Sequence, residues 1–150
     1  MKPLIILLTS FVIALFAIKI SSHNYDMACA ARIAMSLMLV FTAIGHFVYT
    51  KGMTLMIPGF IPFKKEMVYL TGVIEIAAAI GLQVPGLRVW TAWLLILFFL
   101  VLLPANINAA TRHIDYQKGT VDGPGVNYLW FRVPLQVLFI VWTYFSAIKF

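Results

Sequence analysis

Five polar residues interrupt runs that are otherwise apolar: His46, Glu75, Asn106, Arg132 and Gln136. An imidazole and a carboxylate can hold or pass a proton, a guanidinium can neutralise a carboxylate or grip an oxygen-bearing group, and carboxamides donate and accept at once. Ionisable groups among hydrocarbon are costly, so each needs a partner or a task. If the apolar runs cross a bilayer alternately, all five fall in the same half of it. A scattered set then becomes one candidate ligand-binding pocket.

Depth and spacing sharpen the set. Glu75 lies roughly 12 Å from the start of its helix, and Gln136 at about the same depth in another, at ~1.5 Å rise per residue. Arg132 precedes Gln136 by one helical turn on a stripe that continues to Thr143, and is the natural counter-ion for Glu75. His46 follows Thr42 by one turn, and Asn106 follows Pro104, so the ring has one contributor from nearly every helix. Each member also has a plainer reading. Glu75 and Arg132 can be a structural ion pair that fixes helix register, and His46 can cap a helix end or meet headgroups. Asn106 can repair the backbone where Pro104 frees the carbonyl of Leu100, and Gln136 can be interhelical glue. His113, in a polar stretch, is expected to be solvated.

Metal and nucleophilic chemistry are not expected. His46, Glu75 and His113 are suitable ligand types, yet no two candidate ligands stand at helical i, i+4 spacing and there is no HExxH. No GxSxG occurs, and no Ser or Thr is tied by spacing to a base. The lone Cys29 cannot form an intramolecular disulfide or a CxxC pair and reads as a packing residue. No cofactor motif is evident.

These residues must be positioned by membrane helices. With 63% hydrophobic and 11% charged residues and a mean hydropathy of +0.98, no water-soluble domain could hide the apolar surface. A bilayer crossing needs about 20 mainly apolar residues, and five candidates are present: about 3–20, 27–49, 67–82, 87–110 and 127–148. The first resembles a signal peptide in its basic start and short apolar core, but its exit lacks a small-x-small site and carries Lys19, so an uncleaved helix is expected. Short links at 21–26 and 83–86 make neighbours antiparallel. The fold class is therefore all-α, a polytopic membrane helix bundle in one domain. Residues 53–66 are apolar but broken by Pro58 and Pro62 and are expected to lie in the interface. Residues 111–126 are polar and Gly-rich and read as a solvated loop. In the third span Gly72, Ala77 to Ala79 and Gly81 let neighbours approach closely, and Trp90 and Trp130 stand where an aromatic belt would be.

Lys and Arg placement orients the bundle. Lys2, Lys51, Lys64, Lys65, Arg112, Lys118 and Arg132 fall on one side and Lys19, Arg32, Arg88 and Lys149 on the other, which predicts a cytoplasmic N-terminus. The net charge of +6 then serves attraction to anionic lipid. Nucleic acid is not an expected partner, because the basic residues are dispersed.

Several short motifs recur in a telling order: Arg32-Ile33-Ala34, FTAIGHF at 41–47, MIPxxIP at 56–62, TGVIE at 71–75, LPANI at 103–107 and FRVPLQ at 131–136. In this succession the chain, from about Arg32 onward, resembles the DoxX family of bacterial integral membrane proteins. The resemblance implies a four-helix membrane core and residence in the bacterial inner membrane, and founding members are associated with quinone-linked thiosulfate oxidation. The chain departs from it by an extra N-terminal helix, which reverses the side of the N-terminus. Three functions follow. A polar cavity could bind a lipid-soluble small molecule such as a quinone, with redox chemistry supplied by a partner. The chain could be an accessory or chaperone-like subunit, with a structural Glu–Arg pair, docked on a membrane protein or a second copy of itself. It could pass a small solute or proton, although inverted repeats are absent. Binding predicts a cavity touching Glu75 and Arg132; the accessory reading predicts a packed ion pair without a void.

Overall fold

A computed structural model describes residues 2–150. Six α-helices follow one another: α1 Lys2–Ser22, α2 Met27–Val48, α3 Thr50–Met56, α4 Lys64–Gly81, α5 Arg88–Thr111 and α6 Leu129–Tyr144. A 3-10 turn, Val126–Tyr128, leads into α6, and a π-helical turn, Phe145–Lys149, ends it. No strand occurs among the described residues; one isolated bridge pairs Asp115 with Thr120.

Four segments have the length and apolar composition of a membrane span: Lys2–Ser22, Met27–Val48, Arg88–Thr111 and Val126–Lys149. They match four of the five predicted spans to within a few residues. The remaining prediction, 67–82, forms a helix, but α4 starts earlier and takes in Lys64, Lys65 and Glu66 besides Glu75. Its composition is thus more polar than that of the other four. Outward residues such as Ile13, Ile20, Leu94, Val101 and Trp130 are exposed, a surface suited to hydrocarbon.

Helix α2 is the centre of the bundle, packed along α1 on one flank and α4 on the other, while α5 and α6 pair with each other. Small residues permit this. Ala30, Ala34 and Ala43 of α2 and Ala78 and Ala79 of α4 are buried, so backbones come close. The core joins Ala34, Ala78 and Ala79 to Met35, Met38, Leu39, Leu82, Leu95, Phe99 and Phe139, with Leu7 of α1 fully enclosed. On α4 the buried positions Val68, Gly72, Glu75 and Ala79 form one stripe at helical spacing. Glu75 therefore lies on the packing face and cannot turn outward.

Asp26 starts α2 by accepting the Cys29 N–H at 2.8 Å, an N-cap contact. Cys29 itself is half-buried and unpaired. Pro58 and Pro62 break the chain after α3 as expected, and α4 restarts at Lys64, whose Nζ donates to the Ile57 carbonyl at 3.2 Å.

The polar stretch 111–126 departs from expectation, because it is folded onto the bundle. Asp115 and Thr120 exchange backbone hydrogen bonds at 2.9 and 3.3 Å, and the Asp115 carboxylate accepts the N–H groups of Gln117 and Lys118 at 3.0 and 3.2 Å. Ile114 is buried against Met56 and Ala109. Gly52 of α3 meets the Tyr116 backbone so closely that a Cβ there would collide with its carbonyl. Ile114 and the close approach of Gly52 thus dock the loop, with Tyr116 edge-on to Tyr49 at 6.1 Å between ring centres. His113 is exposed, as predicted.

Candidate functional site

All five predicted residues line one cavity of about 760 Å³. It lies between α2, α4, α5 and α6, and Tyr116 of the folded loop, the segment after α3 and the first residues of α1, Lys2 and Pro3, also contribute to its lining. Met38, Phe99, Leu135 and Phe139 supply much of its apolar wall. The polar groups cluster at three points on that wall.

The first point is His46 with Glu75. Gly72 makes the contact possible: a Cβ at this position would stand 3.0 Å from the His46 Cβ, so α4 can approach α2 just one turn below Glu75. The His46 Nε2 then lies 3.5 Å from Glu75 Oε1. On its other side Nδ1 lies 3.1 Å from the Val68 carbonyl and 2.9 Å from Thr71 Oγ1. Thr71 donates its own proton to the Val68 carbonyl at 2.8 Å. With the Thr71 hydrogen on the Val68 carbonyl, which can only accept, the assignment that satisfies both contacts places a hydrogen on Nδ1 and leaves Nε2 facing the carboxylate. Glu75 is 4% exposed, and its Oε2 is buried without a hydrogen-bond partner.

The second point joins α5 to α6. Asn106 Nδ2 donates to Gln136 Oε1 at 3.0 Å, and Gln136 Nε2 donates to the Phe99 carbonyl. The glue role read for Gln136 is what the geometry displays. Asn106 does not reach the carbonyl freed by Pro104; it holds Gln136, which binds the neighbouring carbonyl instead. Asn108, one face away, donates to the Met56 carbonyl at 2.7 Å and ties α5 to α3.

The third point corrects the sequence reading. Arg132 does not neutralise Glu75: among the described residues no Lys or Arg nitrogen lies within 4.0 Å of that carboxylate. Its guanidinium lies instead 5.8 Å from the Tyr116 ring centre and 5.7 Å from that of Tyr128, within reach of cation–π attraction. Burial pushes the Tyr116 phenol above its ordinary range, with the nearby guanidinium opposing the shift. The aromatic pair was out of reach of spacing arguments, because Tyr116 arrives through the loop fold. Thr71 was findable: it stands one turn before Glu75 on the same stripe.

A separate buried polar contact lies at the other end of α2. Arg32, counted from sequence among the boundary charges, is 7% exposed and donates to the Ser146 carbonyl of the π turn at 2.8 Å. Trp142 Nε1 donates to the Ala31 carbonyl at 3.0 Å beside it. As for metals, no three His, Cys, Asp or Glu side chains come together among the described residues.

The fold and site thus define an all-helical protein with four apolar helices of membrane-spanning length and a cavity, walled mainly by three of them and α4, that carries polar groups. The chain belongs to a family described as a domain of unknown function, DUF8561, whose model matches residues 35–147. That match runs from Met35 in α2 into the π turn, ending at residue 147, and leaves out α1. No curated protein and no solved structure matches the chain.

Proposed function

We propose that the protein binds a lipid-soluble small molecule, a quinone or a molecule of similar size and polarity, in the cavity beside Glu75. In this reading it is a five-span, DoxX-like protein of the bacterial inner membrane with a cytoplasmic N-terminus. Helix α4 is the fifth crossing, its charged first turn at the headgroups. Electron transfer would come from a partner subunit, since the chain has no cofactor motif of its own.

One observation carries the proposal. Five polar residues from four separate helices line a single cavity of about 760 Å³ with mainly apolar walls, the usual form of a small-molecule site. The lack of a Glu75–Arg132 contact counts against a purely structural ion pair. His46 with Glu75 supplies a proton-handling group, and Arg132 with Tyr116 lines the same space.

Native mass spectrometry of the purified protein, with organic extraction of bound lipids and quinones, tests this. Wild type is expected to carry a small molecule that Glu75→Gln loses. An empty wild type, with Glu75→Gln altered only in stability, overturns the reading.

A further inference from the structure

We infer that the cavity selects ligands that donate a hydrogen bond to Glu75, so that a hydroxyl-bearing lipid-soluble molecule is preferred to the same molecule with that hydroxyl capped. The inference rests on the binding function proposed above and adds the chemical class of the ligand.

The tautomer of His46 sets the hydrogen bonding of Glu75. With the hydrogen placed on Nδ1 toward the Val68 carbonyl at 3.1 Å, a neutral imidazole would present a bare lone pair to Glu75 Oε1 at 3.5 Å. Two facing lone pairs, one on an anion, repel in a low-dielectric site. A hydrogen shared between Nε2 and Oε1, whichever atom it is drawn on, removes the repulsion and joins the two side chains through that edge of the carboxyl group.

Both arrangements leave the same gap in hydrogen bonding. With the proton on His46, Oε2 is half of a carboxylate; with the proton on Oε1, Oε2 is a carbonyl oxygen. It is an acceptor in each, and it is buried without a partner. The donors beside it do not reach Oε2. The Thr71 hydroxyl is committed to Val68, Asn106 to Gln136 and Gln136 to Phe99, and neither Arg132 nor Lys2, the cations on the cavity wall, brings a nitrogen within 4.0 Å of the carboxylate. Glu75 lines the cavity, so the missing donor is one that a ligand brings. A carboxyl needs only a turn about its last torsion to meet it, and such torsions are broad. A ligand that offers only carbonyl or ether oxygens, an oxidised quinone among them, would set acceptor against acceptor and leave Oε2 unpaired, so of a quinone couple the hydroxyl-bearing quinol is the form this site takes.

Two probes of matched shape test this on the intact protein: a long-chain alkylphenol and its methyl ether. Binding of each to wild type and to Glu75→Leu is titrated by native mass spectrometry, with free concentrations corrected for uptake into detergent. The phenol is expected to bind wild type roughly tenfold to a hundredfold tighter, the range for a hydrogen bond to a charged group, and to lose that advantage in Glu75→Leu. Equal binding of phenol and ether to wild type, or tighter binding of the ether, overturns the inference while the cavity remains a binding site. Failure of both probes to bind wild type overturns the inference together with the proposed function. A preference for phenol that survives in Glu75→Leu assigns the acceptor elsewhere and also overturns it. The wild-type comparison needs no variant, so it can overturn the inference even if Glu75→Leu does not fold, and Glu75→Gln, with its weaker acceptor, is then expected to shrink the phenol's advantage.

Discussion

Helix α2 carries an inward-facing polar side chain near each end, Arg32 buried and His46 half-buried, and the two ends handle it differently. Arg32 and His46 are about 21 Å apart along the helix axis at ~1.5 Å per residue. At the Arg32 end the guanidinium binds the Ser146 carbonyl, Trp142 binds the Ala31 carbonyl, and Phe11 packs edge-on against Trp142 with ring centres 5.2 Å apart. Polar capacity is spent on backbone, and it holds α1, α2 and α6 together. At the His46 end the same helix meets a carboxylate with one oxygen unpaired beside a cavity. The difference teaches that burial of a charged residue in this bundle does not by itself indicate a task. Spare hydrogen-bonding capacity next to open space does.

If that contrast is right, the largest stability loss should come from the Arg32 end. Arg32→Leu keeps much of the side-chain volume but orphans the Ser146 carbonyl, and is expected to destabilise by roughly 2 kcal/mol, within the range for hydrogen bonds to charged groups, without loss of bound ligand. Chemical unfolding in detergent measures the first and native mass spectrometry the second. Unchanged stability would erase the distinction between the two ends.

Next comes the wall of the cavity. Gly52→Val drives a side chain into the Tyr116 backbone, and because the loop can give way the loss is expected at the lower end of the range, about 1–3 kcal/mol, that overpacking costs. The folded loop should lift from α3, which trypsin reads as faster cleavage after the exposed Lys118. A cleavage rate equal to wild type would show that the loop does not depend on this contact.

Asn106→Leu is a smaller perturbation. It removes one interhelical hydrogen bond to Gln136, for which about 0.6 kcal/mol is typical in membrane bundles. The expected result is a slight stability loss with ligand retained, since Gln136 keeps its bond to Phe99. Loss of ligand in this variant would move Asn106 from scaffold to contact residue.

Glu75→Gln should change stability least and binding most. The amide can still meet Nε2 of a neutral His46, so no charge is stranded, yet the acceptor at Oε2 is weakened. A stability loss as large as that of Arg32→Leu would falsify the contrast, because it would make the His46–Glu75 contact structural as well.

Helices, their order and their boundaries were largely legible in the chain, because a run of apolar residues long enough to cross hydrocarbon has few other ways to satisfy its backbone. The break at Pro58 and Pro62 followed from a missing N–H and a blocked ring. The five residues lining the cavity were legible for a related reason: among hydrocarbon, polarity is rare enough to stand out. Helix α4 was harder to class, since its charged first turn and Glu75 offset its small apolar residues.

Pairing was decided only by tertiary structure. Depth and helical spacing pointed to Arg132 as the partner of Glu75. The contact went to His46 because Gly72 lets α4 approach α2 at that level, a distance that no pattern along one helix encodes. Arg132 was drawn away by Tyr116, whose place depends on Ile114 and Gly52 docking a loop that reads as solvated. Sequence determined which residues could not face lipid without a partner, since transfer energies act on each residue separately. The partners themselves depended on how closely helices pack and where a loop folds, and those are properties of the whole assembly.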